Sequence, residues 1–166
     1  MAELSLPERD IIIICLLGLA NFLPILGRLV LKDRFSWPVD LGLRWTDRRP
    51  VLGPHKTWRG ILLSVAGTGA AGCFLPVGCR LACLVALFSM TGDLVSSFVK
   101  RRMGLESGSR AVGLDQVVES GLPLVFFRAE LGITWPEIMG LVAVFSILNI
   151  GLSPILFRFR IRRRPH

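Results

Sequence analysis

The sequence predicts an all-α integral membrane protein with about five transmembrane helices. Of the 166 residues, 52% are hydrophobic and only 19% are charged. The apolar residues fall in runs near the ~20 residues that a bilayer-crossing helix needs. A net charge of +8 comes mainly from basic residues between these runs, where positive charge indicates membrane topology rather than nucleic-acid binding. We therefore expect a lipid bilayer, and no nucleic acid, as a partner.

Five apolar runs give the predicted spans, which together form one membrane domain over residues 1–166. In order they are Ile11–Leu31, Gly60–Gly78, Leu81–Val99, Val117–Ile133 and Ile138–Phe157. The second run is rich in glycine and alanine, which favours close helix packing within the chain or between copies in a homo-oligomer. The fourth is the weakest, because it is short and carries Glu119, Arg128 and Glu130.

The basic residues predict the orientation of the chain. Most of the 20 lie in alternate connections, namely residues 32–59, residues 100–116 and the tail after the fifth span. Because cytoplasmic connections are enriched in Lys and Arg, we expect an outside N-terminus, a cytoplasmic C-terminus and two cytoplasmic loops in a multi-pass cell membrane. The four cysteines show no zinc spacing. The sequence leaves undecided whether Cys73 and Cys79 form a disulfide.

The first candidate site residue is Asp93, because placing a carboxylate within a membrane span costs free energy and such residues are usually functional. If its helix continues, Ser97, Lys100 and Arg101 follow at four, seven and eight residues and share one face with it. An acid and cations on one face suit a metal-bound polyphosphate, the acid holding Mg²⁺ and the cations holding phosphate oxygens. The alternative is a simple ion pair of Asp93 with Lys100 or Arg101.

Two further clusters lie at the same predicted cytoplasmic side. Asp115 opens the fourth span, where it predicts either a helix N-cap or, beside Asp93, a second cation ligand. Lys56, Thr57 and Arg59 flank the start of the second span. The positive end of that helix attracts anions, although basic residues there also serve as topology anchors. Each cluster alone leaves its structural alternative open.

The three clusters form a recognisable pattern only when their order and spacing along the chain are considered together. The first block is Gly53-Pro54-His55-Lys56-Thr57-Trp58-Arg59-Gly60, preceded by Pro38-Val39-Asp40-Leu41-Gly42. The second combines Gly92-Asp93-Leu94, Ser97-Phe98, Lys100-Arg101-Arg102 and Asp115-Gln116. Both blocks resemble the signatures of the CDP-archaeol synthase family, which is related to the phosphatidate cytidylyltransferases.

This resemblance implies an enzyme, a nucleotidyltransferase that uses Mg²⁺ to move a cytidylyl group from CTP to a membrane lipid phosphate. The lipid is archaetidic- or phosphatidic-acid-like, and the products are CDP-lipid and pyrophosphate in phospholipid biosynthesis. It also implies an active site on the cytoplasmic side. Carried over to this chain, the metal-binding acids are Asp93 and Asp115, which act in catalysis with Lys100. The implied substrate-binding residues are Lys56, Thr57, Arg59, Ser97 and Arg101.

The chain departs from the family pattern at two positions. Val118 stands where a second acid is usual, three residues after Asp115, and Arg48 replaces a usual glycine. Glu119 is adjacent, but one residue turns a helix by about 100°, so we expect Glu119 to point elsewhere and to matter less than Asp115. These departures keep a rival open: a non-catalytic divergent membrane protein that binds nucleotide or anionic lipid.

Overall fold

The computed structural model describes residues 5–106 and 113–158, and within these ranges the chain is helical and has no strand. The helices are α1 (Leu6–Leu31), α2 (Trp58–Gly72), α3 (Cys79–Arg102), α4 (Leu114–Phe126), α5 (Arg128–Leu131) and α6 (Trp135–Arg158). The predicted all-α class is confirmed. Arg110 and the arginines after residue 158, which entered the topology prediction, lie outside the described residues.

Two helices in the described ranges are long and apolar enough to cross a bilayer. They are α1, with 26 residues, and α3, with 24 residues, and the most apolar 18-residue windows of the two have mean hydropathies of 2.2 and 1.7. The N-terminus of α1 is fixed by the Glu8 carboxylate, which accepts hydrogen bonds from the Ser5 backbone N–H (3.1 Å) and hydroxyl (2.7 Å). These helices contain the first and third predicted spans.

The helices of the second and fourth predicted spans have different bounds. α2 ends at Gly72, because residues 73–78 turn back toward α3 and Gly78 adopts a φ of +76°, which favours glycine. With 15 residues, α2 is about 22 Å long and shorter than a hydrocarbon core of ~30 Å. The fourth predicted span is divided between two helices, since α4 ends at Phe126, one turn after Pro123 removes a helix hydrogen bond.

α3 is the centre of the bundle and packs against α1, α2 and α4. The consecutive pairs α1–α2, α2–α3 and α3–α4 run antiparallel, so the C-terminal ends of α1 and α3 meet the N-terminal ends of α2 and α4. We call this the polar end of the bundle. Small residues of α2 allow its close contact with α3: a Cβ atom at Gly72 would overlap the Ala82 side chain of α3 and lie 2.9 Å from the carbonyl oxygen of Gly78, the N-cap of α3. The glycines of the second predicted span therefore serve packing within the chain.

The hydrophobic core lies at the opposite, apolar end of the bundle. It joins the first half of α1 and of α3 to the end of α4, to α5 and to the start of α6 through these buried side chains: Ile13, Leu16, Leu17, Val77, Ala82, Val85, Leu124, Leu131, Ile133, Ile138, Leu141 and Phe145. The Arg9 guanidinium fastens this end by donating to the Gly132 carbonyl and, at 2.5 Å, to the Glu137 carboxylate. The apolar end is thus packed, and chemistry-bearing side chains gather at the other.

Gly92 sets the distance between α3 and α4. A Cβ atom there would lie 2.5 Å from the Val118 carbonyl oxygen and 3.0 Å from the Glu119 Cα, and backbone atoms cannot rotate away. We expect Gly92→Ala to destabilise the protein by about 1–3 kcal/mol, because it separates two packed helices. Thermal unfolding in detergent measures this loss.

The matched control for Gly92→Ala is Gly18→Ala in α1. A Cβ atom at Gly18 meets nothing within 4 Å, so alanine should raise stability slightly by its better helix propensity. Equal unfolding temperatures for the two variants would contradict the close approach of α3 and α4.

Candidate active site

The loop between α1 and α2 is organised around one buried carboxylate, Asp40. Its Oδ2 accepts hydrogen bonds from the backbone N–H groups of Leu52 and Gly53, each at 2.8 Å, and its Oδ1 accepts from Gly42 at 3.1 Å. Burial alone would raise the pKa of Asp40, but these three donors outweigh burial and lower the pKa below its ordinary value. Asp40 therefore holds the segment before Lys56 in place.

We expect Asp40→Asn to loosen this loop, because the amide NH₂ group must face backbone N–H donors. Each donor left unsatisfied costs about 1–3 kcal/mol. Hydrogen exchange of the Leu52 and Gly53 amides should accelerate by at least about tenfold, while amides of the apolar end keep their protection. Because folding lowers the pKa of Asp40, its contribution is present above the unfolded pKa of about 3.9 and is lost as pH falls through the folded value. Unchanged exchange at Leu52 and Gly53 would contradict this role.

The loop docks on the end of α3 through Arg102. Its guanidinium donates to the Asp47 carboxylate at 2.7 Å and to the Pro50 carbonyl at 2.6 Å, and it lies 5.1 Å from the Phe98 ring centroid. Trp45 meets the same Phe98 ring edge-on, with centroids 5.4 Å apart. A loop of irregular backbone is in this way fixed above the polar end of the bundle.

At the end of this loop, Lys56 reaches into the bundle and pairs with Asp93. Its Nζ lies 2.5 Å from both carboxylate oxygens, and the two side chains are 23% and 20% exposed. Burial disfavours the charged ammonium, but the Asp93 carboxylate outweighs this and raises the pKa of Lys56. The partner of Asp93 is thus Lys56 from the loop, and the alternative pairing with Lys100 or Arg101 is not the one formed.

Lys100 instead pairs with Asp115, its Nζ lying 2.8 Å from Oδ2. Both side chains are buried, at 7% and 11% exposed. The N-cap alternative for Asp115 was wrong: Gly113 is the N-cap, and the Gln116 side chain accepts its N–H at 2.9 Å. Asp115 lies in the first turn of α4, where the helix dipole stabilises a carboxylate.

Glu119 also belongs to this cluster, and the expectation that it points elsewhere was wrong. It is 8% exposed, and its carboxyl group lies within hydrogen-bonding reach of the Asp93 carboxyl. Counted from Asp115, Glu119 is four residues on and hence on the same helix face. The four-residue spacing from Asp115 to Glu119 is therefore the sequence signal that places Glu119 in this cluster.

Three side-chain atoms at the polar end are buried without a hydrogen-bond partner in the described part of the chain: Asp115 Oδ1, Arg101 Nε and Arg102 Nε. The other nitrogens of Arg102 hold the loop, at Asp47 and Pro50. That leaves Asp115 Oδ1, an acceptor, and Arg101 Nε, a donor on a residue only 4% exposed. Buried polar groups nearly always have a hydrogen-bond partner, so these two atoms indicate that a bound ligand supplies their partners. The acceptor fits a cation, and the donor fits an anion such as phosphate.

The remaining predicted substrate-binding residues occupy different settings. Ser97 is buried on the same face of α3 as Lys100. Thr57 is the N-cap of α2, and its Oγ1 accepts the Gly60 N–H at 3.3 Å. Arg59 is turned to the end of α1, where it donates to the Lys32 carbonyl at 3.0 Å and to the Arg34 carbonyl. The structure therefore gathers Lys56, Ser97 and Arg101 around the acids, whereas Thr57 and Arg59 contact backbone.

The donor set suits a divalent cation that shares its coordination with a substrate. Within residues 5–106 and 113–158, no three or more His, Cys, Asp or Glu side chains are arranged to hold a metal by themselves. Mg²⁺ commonly takes only one or two carboxylates and completes its shell with substrate phosphates and water. The acids of the polar end can supply that number.

The fold is thus an apolar helical bundle with two lysine–carboxylate pairs at its polar end. A solved structure of an intramembrane enzyme for archaeal membrane lipid biosynthesis matches the fold with a TM-score of 0.68. The two chains are 30% identical, and the match covers 82% of this chain and 89% of the other.

The family follows from sequence comparison. The family model CarS-like, CDP-archaeol synthase, matches residues 29–165. The CDP-archaeol synthase of Pyrococcus horikoshii is 32% identical over 139 residues, covering 77% of this chain and 82% of its own. That of Sulfurisphaera tokodaii is 31% identical over 136 residues, covering 77% and 81%. The chain belongs to the CDP-archaeol synthase family, so the predicted resemblance is confirmed, and it is a membrane nucleotidyltransferase of lipid biosynthesis.

Proposed function

We propose that this protein transfers a cytidylyl group from CTP to a membrane lipid phosphate, with Mg²⁺ as cofactor, and releases pyrophosphate. The observation that carries the proposal is the pair of buried, unpartnered atoms, Asp115 Oδ1 and Arg101 Nε. A metal-bound triphosphate brings a cation and anionic oxygens together, which is the combination that these two atoms require. The names of the relatives, CDP-archaeol synthases, support the same reaction.

In the proposed reaction an oxygen of the lipid phosphate attacks the α-phosphorus of CTP. A new P–O bond forms there, the bond from the α-phosphorus to the bridging oxygen breaks, and the electron pair leaves with pyrophosphate. Lys56, Lys100 and Arg101 contribute positive charge, which lowers repulsion between the two anionic reactants and neutralises the leaving group. Positioning and charge neutralisation suffice, because such transfer needs no covalent intermediate on the protein.

Asp93 and Asp115 are the acids that hold the cation in this proposal. When bound, Mg²⁺ polarises phosphate oxygens and stabilises the charge that develops on them. The two lysines neutralise these acids at 2.5 and 2.8 Å, so they keep buried carboxylates stable between turnovers. Both lysines have flexible stems, and the same ammonium groups are available to phosphate oxygens once a cation takes the carboxylates.

We further propose five membrane crossings, with α4 and α5 sharing one, an outside N-terminus and a cytoplasmic polar end. The basic residues of the loop between α1 and α2 lie at that end and support this orientation by the positive-inside rule. CTP is an intracellular nucleotide, so a site at this end meets its substrate directly. Labelling of whole cells with a membrane-impermeant maleimide tests the topology, because Cys73 and Cys79 are exposed at the opposite end. Protection of both thiols until the cells are lysed would contradict it.

The activity is tested with purified protein in lipid nanodiscs, CTP, Mg²⁺ and a mixture of ether- and ester-linked lipid phosphates. We expect CDP-lipid by mass spectrometry and pyrophosphate in equal amount, and the lipid consumed identifies the acceptor class. Omission of Mg²⁺ with added chelator should abolish both products. CTP binding without pyrophosphate release, on either lipid class, would favour a non-catalytic nucleotide-binding protein instead.

A further inference from the structure

We infer that Glu119 is a further cation-binding carboxylate of this site and that it acts together with Asp93. The inference rests on the proposed function and deepens it by one residue. Glu119 projects from α4 and Asp93 from α3, so the two acids approach the same space from different helices. Two carboxylates on separate helices can clamp a cation that one cannot hold.

Direct contact is the first observation behind this role. The Glu119 and Asp93 carboxyl groups lie within hydrogen-bonding reach of each other, and Glu119 is only 8% exposed. Buried carboxylates repel unless positive charge lies beside them. The Lys56 ammonium, 2.5 Å from Asp93, supplies such a charge, and it also attracts the Glu119 carboxylate electrostatically. A positive charge therefore already lies beside the place where the two acids meet.

Backbone packing is the second observation. Because Gly92 has no side chain, the α4 backbone approaches until a Cβ atom at Gly92 would lie 3.0 Å from the Glu119 Cα. Asp93 is the next residue of α3 after Gly92, so the close approach of the two helices places the Glu119 side chain next to Asp93. The neighbouring Val118 carries no polar atom. Glu119 is thus the α4 acid that reaches Asp93, while Asp115 on the same face is held by Lys100 at 2.8 Å.

Direct binding of Mn²⁺ in place of Mg²⁺ tests the inference without relying on turnover. Free Mn²⁺ is measured by electron paramagnetic resonance with full-length protein in nanodiscs, with and without CTP. We expect Glu119→Gln to raise the apparent Kd for Mn²⁺ in the presence of CTP by about tenfold or more. Glu119→Asp, which keeps the charge and shortens the reach, should fall between Glu119→Gln and the unchanged protein.

The control is Glu130→Gln, because Glu130 is an exposed acid of α5 away from the polar end. It should leave the Mn²⁺ affinity unchanged. The Asp93→Asn and Glu119→Gln variants should also be non-additive when combined, since both remove ligands of one cation. Wild-type Mn²⁺ affinity in a folded Glu119→Gln protein would overturn the inference, as would full additivity with Asp93→Asn.

Failure of this inference is distinguishable from failure of the proposed function. If the unchanged protein makes CDP-lipid and Glu119→Gln binds Mn²⁺ normally, the reaction stands and the role of Glu119 is lost. If Mn²⁺ binding with CTP depends on Glu119 but no CDP-lipid forms, the cation site stands and the reaction is lost. Should Glu119→Gln prove too unstable to purify, Glu119→Asp decides: wild-type Mn²⁺ affinity and Mg²⁺ dependence would then overturn the inference.

Discussion

Replacing Asp93 with asparagine is expected to lower CDP-lipid formation about a hundredfold or more while leaving the protein inserted and folded. Asparagine keeps the size and one oxygen of the side chain but removes the negative charge that a cation requires. Loss of a metal ligand at a phosphoryl-transfer centre removes several kcal/mol of transition-state stabilisation, and 1.36 kcal/mol is a factor of ten. Pyrophosphate release at saturating CTP and Mg²⁺ measures the loss.

The control for Asp93→Asn is Asp10→Asn at the apolar end, where the acid contacts Arg9 at 3.2 Å. It should retain nearly full activity. If Asp93 were only the structural partner of Lys56, activity in Asp93→Asn would persist and any loss would follow the unfolding temperature. Near-full turnover in Asp93→Asn would therefore remove Asp93 from the proposed site.

The pair of Lys56 and Asp93 is the more exposed of the two lysine–carboxylate pairs. Lys56 and Asp93 are 23% and 20% exposed, whereas Lys100 and Asp115 are 7% and 11% exposed. Because the Lys56 pair is the more exposed, an incoming phosphate reaches the Lys56 ammonium more directly than the Lys100 ammonium. We therefore expect Lys56 to exchange its carboxylate partner for a nucleotide phosphate more readily than Lys100 does.

Local sequence patterns predicted the shared helix face of α3 correctly. Long apolar runs predicted α1 and α3, and spacings of four, seven and eight residues placed Ser97, Lys100 and Arg101 on one face of α3 with Asp93. All three are buried there. Such spacings depend only on the geometry of one helix, so they need no knowledge of the tertiary structure.

The pairings between segments could not be predicted in this way. Lys56 reaches Asp93 because the loop before it is folded around Asp40, with backbone turns at positive φ at Leu41 and Arg48. Neither Leu41 nor Arg48 is a residue type that favours positive φ, so the sequence does not mark these two conformations. The approach of Glu119 likewise depends on the contact of Gly92 with α4, which only the packed structure reveals.

Replacing Lys100 with methionine is expected to lower both stability and activity. Methionine keeps the length and apolar stem of the side chain but leaves the Asp115 carboxylate buried, at 8% exposed, without its ammonium partner. Breaking a buried ion pair on one side costs about 3–5 kcal/mol. Removing a cation that stabilises transferring phosphates should lower turnover about a hundredfold to a thousandfold. Thermal unfolding and pyrophosphate release measure the two effects on one preparation.

The Lys100→Met/Asp115→Asn double variant separates the structural role of the pair from the chemical one. Removing both charges removes the unpaired buried carboxylate, so the unfolding temperature should return most of the way to that of the unchanged protein. Activity should stay low, because neither the ammonium nor the carboxylate is restored. Lys32→Met, at an exposed lysine after α1, should change neither property. Recovery of turnover together with stability in the double variant would show that Lys100 and Asp115 only hold α3 and α4 together, and the phosphate-binding role would then pass to Lys56 and Arg101.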